Sequence, residues 1–390
     1  MTEAASLQAA STQPDFDAVA AARAVSRFAA VHAVEGDRDG GFPKAALSEL
    51  ARSGLLAAPA PPDASRGGSA GSALGEEPGA CRLLEVLRLI GHGDLALGRL
   101  YEGHVNALGL VARYGTDAQR RRAAADAQAD HLFGVWNTDP AGGGLRLRAD
   151  GDGIALEGAK ILASGAGFVS RALVTARRGE GDPPLMVLVP LAPGERADLS
   201  GWRAQGMRAS ATGVVDLSGL VLPADALVGG PDDYHREPFF SAGAWRFLAV
   251  QLGGIEAVFD AWRAHLVRTD RGGDPHQLAR LGEGAIAVEG ARLWVARAAR
   301  VASEADLPAA RAVAFVNLAR LAVERAGLDA MRLAQRSVGL QAFLGHHPLE
   351  RLVRDLGTYL RQPAPDRALT AAAAEILAAA DAVGDLWTAP

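Results

Sequence analysis

At 390 residues the chain is longer than one hydrophobic core usually serves, so two or three packed units are expected. Hydrophobic residues at 49% and charged residues at 22% are ordinary for a globular protein, and a formal net charge of −5 argues against nucleic acid as a partner. Cys81 is the only cysteine, which excludes an intrachain disulfide framework and cysteine-rich metal centres; no metal is expected.

Residues 1–15 lack the basic start and apolar core of a signal peptide and read as a disordered tail. No uncharged apolar run reaches the length of about 18 residues that a membrane helix needs, so no membrane partner is expected and the cytoplasm is the expected location. Residues 16–130 are expected to form an N-terminal helical domain. Segments 17–34, 43–56, 80–92 and 94–114 repeat apolar residues every three or four positions, and the Pro-, Gly- and Ser-rich stretch 59–79 is expected to be a loop. Gly115 reads as a left-handed helix stop and Thr116 as the cap of the next helix.

From residue 131 to 234 the pattern changes to short alternating runs separated by Gly, Pro and Asp, which is expected to be a compact β domain. Residues 235–390 are expected to form a helical bundle. Its periodic segments are 239–269, 275–305, 308–338 and 348–360, followed by an Ala-rich segment over 366–386. The order helical, β, helical follows from periodicity alone.

Several local patterns stand on this frame. Residues 202–229 contain Trp202, then Gly206-Met207-Arg208, Ser210 and Thr212, an alternating strand, Pro223 and Gly229. Residues 133–144 read FGVWNTDPAGGG, 158–165 read GAKILASG, 114–120 read YGTDAQR, and 336–355 read RSVGLQAFLGHHPLERLVRD. Together they resemble the motif series of the acyl-CoA dehydrogenase superfamily and cover most of the chain from about residue 80 to 360. The resemblance implies an α+β fold with an N-terminal α-helical domain, a central small β-barrel domain and a C-terminal antiparallel four-helix bundle.

It also implies FAD. Trp136 and Asn137 would flank the flavin ring, Thr138 would lie at the isoalloxazine, and Ser164 falls where a hydroxyl bonds flavin N5. Leu162 replaces an aromatic residue that often packs on the ring. Arg336 and Gly339 match a segment that meets FAD across a subunit interface, and Arg268 or Arg271, at the Gly turn 270–274 between two helices, would approach the cofactor's phosphates. A homodimer or homotetramer is implied for the same reason. The plainer alternative for Thr138 and Ser164 is that of strand-end hydroxyls, and a buried Trp such as Trp202 or Trp245 is more often plain core than pocket wall.

The implied substrate is an acyl-CoA or a related acyl thioester, with an electron-transfer or reductase partner. The chain departs from the pattern at the chemistry. Gly144 and Leu145 replace a Ser and an Asp near the acyl-CoA, and Pro363 stands eight residues after Asp355, where most relatives carry the catalytic Glu. Some relatives place the base near the position of Gly243. The candidate replacements are Asp366, Glu237 and Tyr359. Two other readings therefore stand beside an acyl-CoA dehydrogenase-like oxidoreductase. One is a flavin-dependent monooxygenase of the same fold; the other is a catalytically degenerate relative that binds a nucleotide or acyl group. His346 and His347 lack a third ligand at useful spacing and read as a helix-start loop.

Overall fold

The computed structural model describes residues 16–38, 41–61, 74 and 79–388. The expected tail at 1–15 and most of the expected loop at 59–79 lie outside the described residues. Five helices come first: α1 (Ala18–Arg38), α2 (Lys44–Arg52), α3 (Gly79–Gly93), α4 (Leu95–Tyr114) and α5 (Asp117–Gln128). Helix α2 is shorter than its apolar pattern because Gly54 adopts φ +79°, which ends it. The Asp94 carboxylate starts α4 by accepting from the Ala96 and Leu97 amides, and Thr116 starts α5 in a reciprocal capping box with Gln119. Gly115 is not left-handed: it is extended, at φ −74° and ψ 156°. It is needed for space instead, since a Cβ there would stand 2.5 Å from the Val111 carbonyl oxygen.

The β region contains ten short strands in three small sheets. They are β1 (Phe133–Trp136), β2 (Arg146–Asp150), β3 (Gly153–Glu157), β4 (Ala159–Ala163), β5 (Arg171–Ala176), β6 (Leu185–Pro190), β7 (Ala197–Asp198), β8 (Gly213–Asp216), β9 (Val221–Pro223) and β10 (Leu227–Val228). The sheet orders are β1-β5-β6-β10, β2-β3-β9 and β4-β8-β7. Strands β1 and β5 run parallel, with Phe133 opposite Arg171, and the other pairs are antiparallel.

The second helical region holds α6 (Trp245–Arg268), α7 (Pro275–Val301), α8 (Ala309–Val338), α9 (Pro348–Tyr359) and α10 (Pro365–Ala378). Proline opens three of these helices, where its missing N–H is not needed. Helix α6 starts six residues later than the periodicity suggests because its aromatic lead is used elsewhere. Phe240 packs on Tyr234 at 5.3 Å, and Arg113 lies 3.5 Å over the Phe239 ring. Helices α7 and α10 also end early, at Val301 and Ala378 rather than at 305 and 386. An Ala-rich composition favours helix but does not mark where it stops.

The two helical regions share one core. Helices α3 and α6 cross at glycines: a Cβ on Gly91 would lie 2.3 Å from the Val250 oxygen, and one on Gly253 would lie 2.0 Å from the Arg88 oxygen. Beside the crossing, the buried Glu256 carboxylate is held between Arg88 at 2.5 Å and Arg292 at 2.6 Å. Helix α4 carries the β region on its other side. His104, fully buried, donates from Nε2 to the Leu56 oxygen at 2.8 Å and accepts the Phe133 amide on Nδ1 at 3.1 Å. That pair of bonds requires a neutral ring, and burial pushes its pKa down to about 4.

Candidate functional site

The two loops singled out at 133–144 and 158–165 meet at the ends of β1 and β4. Trp136 is buried and its Nε1 donates to the Ser164 carbonyl at 3.0 Å, while the Ile161 amide donates to the Thr138 carbonyl at 3.0 Å. The Thr138 side chain is exposed, and so is Leu162, which leaves 59% of its surface in solvent at a left-handed φ of +51° beside an irregularity in β4. Ser164 Oγ lies 3.4 Å from Thr212 Oγ1. Thr138, Leu162 and Ser164 thus stand together, with the first two turned outward.

Two residues that sequence reasoning did not single out hold this arrangement. Lys160 is fully buried, and its ammonium reaches Asp139, Thr175 Oγ1 at 3.1 Å and the Asn137 carbonyl at 3.4 Å. Burial lowers its pKa, against the opposing pull of the Asp139 carboxylate. Thr175 in turn donates to Asn137 Oδ1 at 2.6 Å. The signal was present as a lysine in an otherwise apolar strand, where a buried charge must find partners.

The motif at 202–212 docks onto the Arg354–Asp355 pair of α9. Met207, left-handed at φ +55°, donates its amide to Asp355 Oδ1 at 2.7 Å, and the Gly206 amide donates to Thr358 Oγ1 at 3.1 Å. Arg354 donates to the Gln205 carbonyl at 2.9 Å and pairs with Asp37 and Glu350, both at 2.6 Å. Asp355 is bonded by Arg351 at 3.0 Å; burial raises its pKa to about 6, against that pairing. Trp202 closes the loop by donating to the Met207 carbonyl at 3.0 Å.

Next to β1 lies a cavity of about 620 Å³, bounded by α4, the segment before α6, α8 and the start of α10. Val135 brings β1 into its wall; Tyr114, Tyr234, Phe239, Phe240 and Phe247 supply an aromatic lining. Four arginines also line it: Arg113, Arg246, Arg320 and Arg367. The two wall carboxylates already have partners. Glu102 is buried against Arg99 at 2.5 Å and Asn106, and Glu237 accepts from the amide of Ser241 at 3.0 Å and from its hydroxyl.

The candidates for a base separate here. Glu237 lines the cavity, as does Pro363, whose carbonyl accepts from Arg320 Nη2 at 2.8 Å. Asp366 is exposed in the first turn of α10 and is not part of the wall. Tyr359 is buried, with a phenol that has no hydrogen-bond partner and whose pKa burial pushes upward.

Arg268, Arg271, Arg336 and Gly339 stand elsewhere. Arg246 faces the cavity near the start of α6 and Arg268 closes the same helix, about 33 Å away at the usual rise per residue. Arg271 Nη1 donates to the Ser337 carbonyl at 3.3 Å, Arg336 is exposed one residue earlier, and Gly339 follows at φ +78°. Arg268 Nη2 approaches His265 at 3.4 Å. His265 and His347 meet at 3.1 Å, and His347 accepts the Leu349 amide as the cap of α9. Burial, then the nearby cations, lowers both imidazole pKa values. Among the described residues no group of three His, Cys, Asp or Glu could hold a metal ion, and no helix is long and apolar enough to cross a membrane.

Residues 237–360 match the family model for the acyl-CoA dehydrogenase C-terminal domain. The chain is 27% identical over 353 residues to a 3-sulfinopropanoyl-CoA desulfinase of Paraburkholderia xenovorans, covering 84% of this chain and 86% of that protein. It is 27% identical over 305 residues to a dibenzothiophene monooxygenase of Rhodococcus erythropolis, covering 71% of each. Among solved structures it superimposes on TdsC from Paenibacillus sp. A11-2, determined with FMN and indole, with a TM-score of 0.79 at 21% identity, covering 96% of this chain and all of that one. Butyryl-CoA dehydrogenase from Megasphaera elsdenii gives the same TM-score at 16% identity, over 94% and 99%. These structural likenesses are ones of fold. The chain has the acyl-CoA dehydrogenase fold that its motif series implies, and its residues 237–360 match that family's C-terminal domain model.

Proposed function

We propose that this protein is a flavin-dependent monooxygenase, which takes reduced flavin from a partner reductase and oxygenates a small organic molecule in the 620 Å³ cavity. The observation that carries the reading is the site of the missing carboxylate. An α,β-dehydrogenation needs a base over the substrate. At the usual position stands Pro363, which has no proton-accepting side chain and turns its carbonyl to Arg320. The dibenzothiophene monooxygenase relative supports this over the dehydrogenase reading.

The residues present fit a flavin. Thr138 and Ser164 offer hydroxyls and Leu162 an exposed apolar face on adjoining strands, beside a wall whose Asn106 Oδ1 is a buried acceptor without a partner. A bound reduced flavin would supply the two electrons that divide O2 between product and water. The chain's own part is to position and to exclude water. Lys160 and Thr175 fix the Asn137–Asp139 turn, the docking of Met207 on Asp355 fixes the loop leading to Ser210 and Thr212, and the aromatic wall shields the reacting molecule.

FAD is what the motif series implies, and FMN is what TdsC holds. The arginine group at the far end of α6 serves an adenosine diphosphate half only when a second copy brings it, which makes the FAD form a property of an oligomer. Leu340 and Phe343, 77% and 59% exposed beside that group, are the apolar contact we assign to the second copy.

The purified protein is to be titrated with FMN and FAD, photoreduced, and mixed with 18O2 and dibenzothiophene or an aliphatic sulfinate. Label in the product is the expected result, with weaker flavin retention in Ser164→Ala. Uptake of neither flavin would refute the reading. So would rapid anaerobic bleaching of bound flavin by acyl-CoA that Glu237→Gln abolishes, which would make Glu237 the base of a dehydrogenase.

A further inference from the structure

The proposed function leaves the substrate open, and the cavity wall carries an unused charge. Arg320 projects from α8 into the wall. Its bonds go to neutral acceptors only: the Pro363 carbonyl at 2.8 Å and Asn317 Oδ1 at 3.3 Å. Its Nε is buried without a partner. The nearest acid on its own helix, Glu324, is spent on Arg361 at 2.9 Å. Among the described residues no carboxylate lies within ion-pair distance of Arg320, although ion pairs are plentiful elsewhere in the fold. Arg367, in the first turn of α10, lines the same cavity and is likewise in no ion pair among the described residues.

A half-buried guanidinium without a counter-ion is costly, and the cost is recovered when an anion arrives. The two wall carboxylates do not provide that compensation. Glu102 is neutralised by Arg99, and Glu237 is turned to Ser241. The wall therefore carries an excess of positive charge within an aromatic lining of Phe239, Phe240 and Phe247, the last with its ring 5.8 Å from the Arg320 guanidinium.

We propose that the cavity binds an organic oxoanion, with its carboxylate, sulfinate, sulfonate or phosphate head on Arg320 and its apolar body along the aromatic wall. The proposal rests on the reading of this cavity as the substrate site, but its binding test needs no turnover. An oxoanion takes two N–H groups of a planar guanidinium at once, which an ammonium cannot match. Arg367 stands at the cavity's α10 side and adds attraction without fixing orientation.

The test is calorimetric binding of 1-hexanesulfonate, hexanoate, hexyl phosphate and 1-hexanol to the purified protein, with and without FMN. At least one anion is expected to bind about tenfold or more tighter than hexanol, and to weaken as salt rises. Arg320→Gln is expected to erase that preference, and Arg320→Lys to keep part of it. Arg367→Gln should reduce it without removing it, and serves if Arg320→Gln fails to fold. The head group bound tightest names the oxoanion. CoA, added as a competitor, separates a thioester's phosphates from a small free anion: displacement that depends on Arg320 assigns the phosphates. Equal binding of the anions and hexanol to the wild type would overturn the proposal, as would a preference that survives Arg320→Gln. Flavin uptake, measured on the same samples, reports separately on the flavin reading.

Discussion

Gly206→Ala tests whether the loop at 202–212 is held by α9. A Cβ at position 206 would stand 1.9 Å from the Arg354 oxygen, 2.2 Å from the Arg354 carbonyl carbon and 2.6 Å from the Asp355 nitrogen. All three atoms are backbone in the middle of a helix, so no side chain can swing aside to make room. The loop has to move away from α9. In moving it gives up the bond from the Met207 amide to the Asp355 carboxylate, at 2.7 Å, and the bond from the Gly206 amide to Thr358. Overpacking of this kind costs about 1–3 kcal/mol. A hydrogen bond to a buried carboxylate is worth about 1.5–3 kcal/mol. Together they set an expected loss of about 2.5–6 kcal/mol.

Urea unfolding, followed by far-ultraviolet circular dichroism and by tryptophan fluorescence, measures that loss. Trp202 sits in the loop itself and reports its detachment. Gly345→Ala is the control, because a Cβ there meets nothing within 4 Å. Where the loop alone lifts away, the global midpoint stays put and the loss appears as weaker flavin retention and a changed Trp202 signal. A variant unchanged in midpoint, fluorescence and flavin retention would refute the docking geometry.

Two further outcomes follow from the same structure. Light scattering at micromolar concentration should give two or four times the 40.3 kDa chain mass, falling towards one in the double variant Leu340→Asp, Phe343→Asp; a wild-type monomer contradicts the assigned contact. His104 has a folded pKa of about 4, below the usual 6.5, so the unfolded chain takes its proton first as pH falls. Its contribution is complete above pH 6.5 and declines from there towards pH 4, by roughly 2–3 kcal/mol at pH 4.5. The stability gap between wild type and His104→Gln should therefore narrow over that range, and a constant gap would show that the imidazole is not kept neutral by its two bonds.

What the sequence disclosed, and what it withheld, divides by the range of the interaction. The Thr116–Gln119 capping box, the proline-led helices and the alternation of the strands are local, and each reads directly from neighbouring residues. Gly115 shows the limit of that method. A glycine is required there, yet the reason is clearance from Val111 rather than a left-handed backbone, and only the three-dimensional path distinguishes the two. The early end of α10 has the same origin, since an alanine run favours helix without specifying where packing ceases to support it.

The candidate site draws on the long-range part. Gly206-Met207 and Arg354-Asp355 were both visible as motifs, but nothing in either announces that one amide chain closes on the other, 148 residues apart in the bond from Met207 to Asp355. The same holds for the cavity. Its arginines arrive from α4, α6, α8 and α10, so no window of sequence shows a basic cluster, and a chain with net charge −5 conceals a positively charged wall. Pro363 joins the two levels. Read in sequence it is only a missing carboxylate; in the fold its carbonyl holds Arg320, a guanidinium of the wall whose bonds go to neutral acceptors only. The missing base and the charged anchor meet at the same turn: residue 363 offers Arg320 its backbone carbonyl, and its proline side chain offers no acid to an α-proton. That exchange of a proton acceptor for an anion site is why we read the cavity as built for oxygenating an anion rather than for dehydrogenating a thioester.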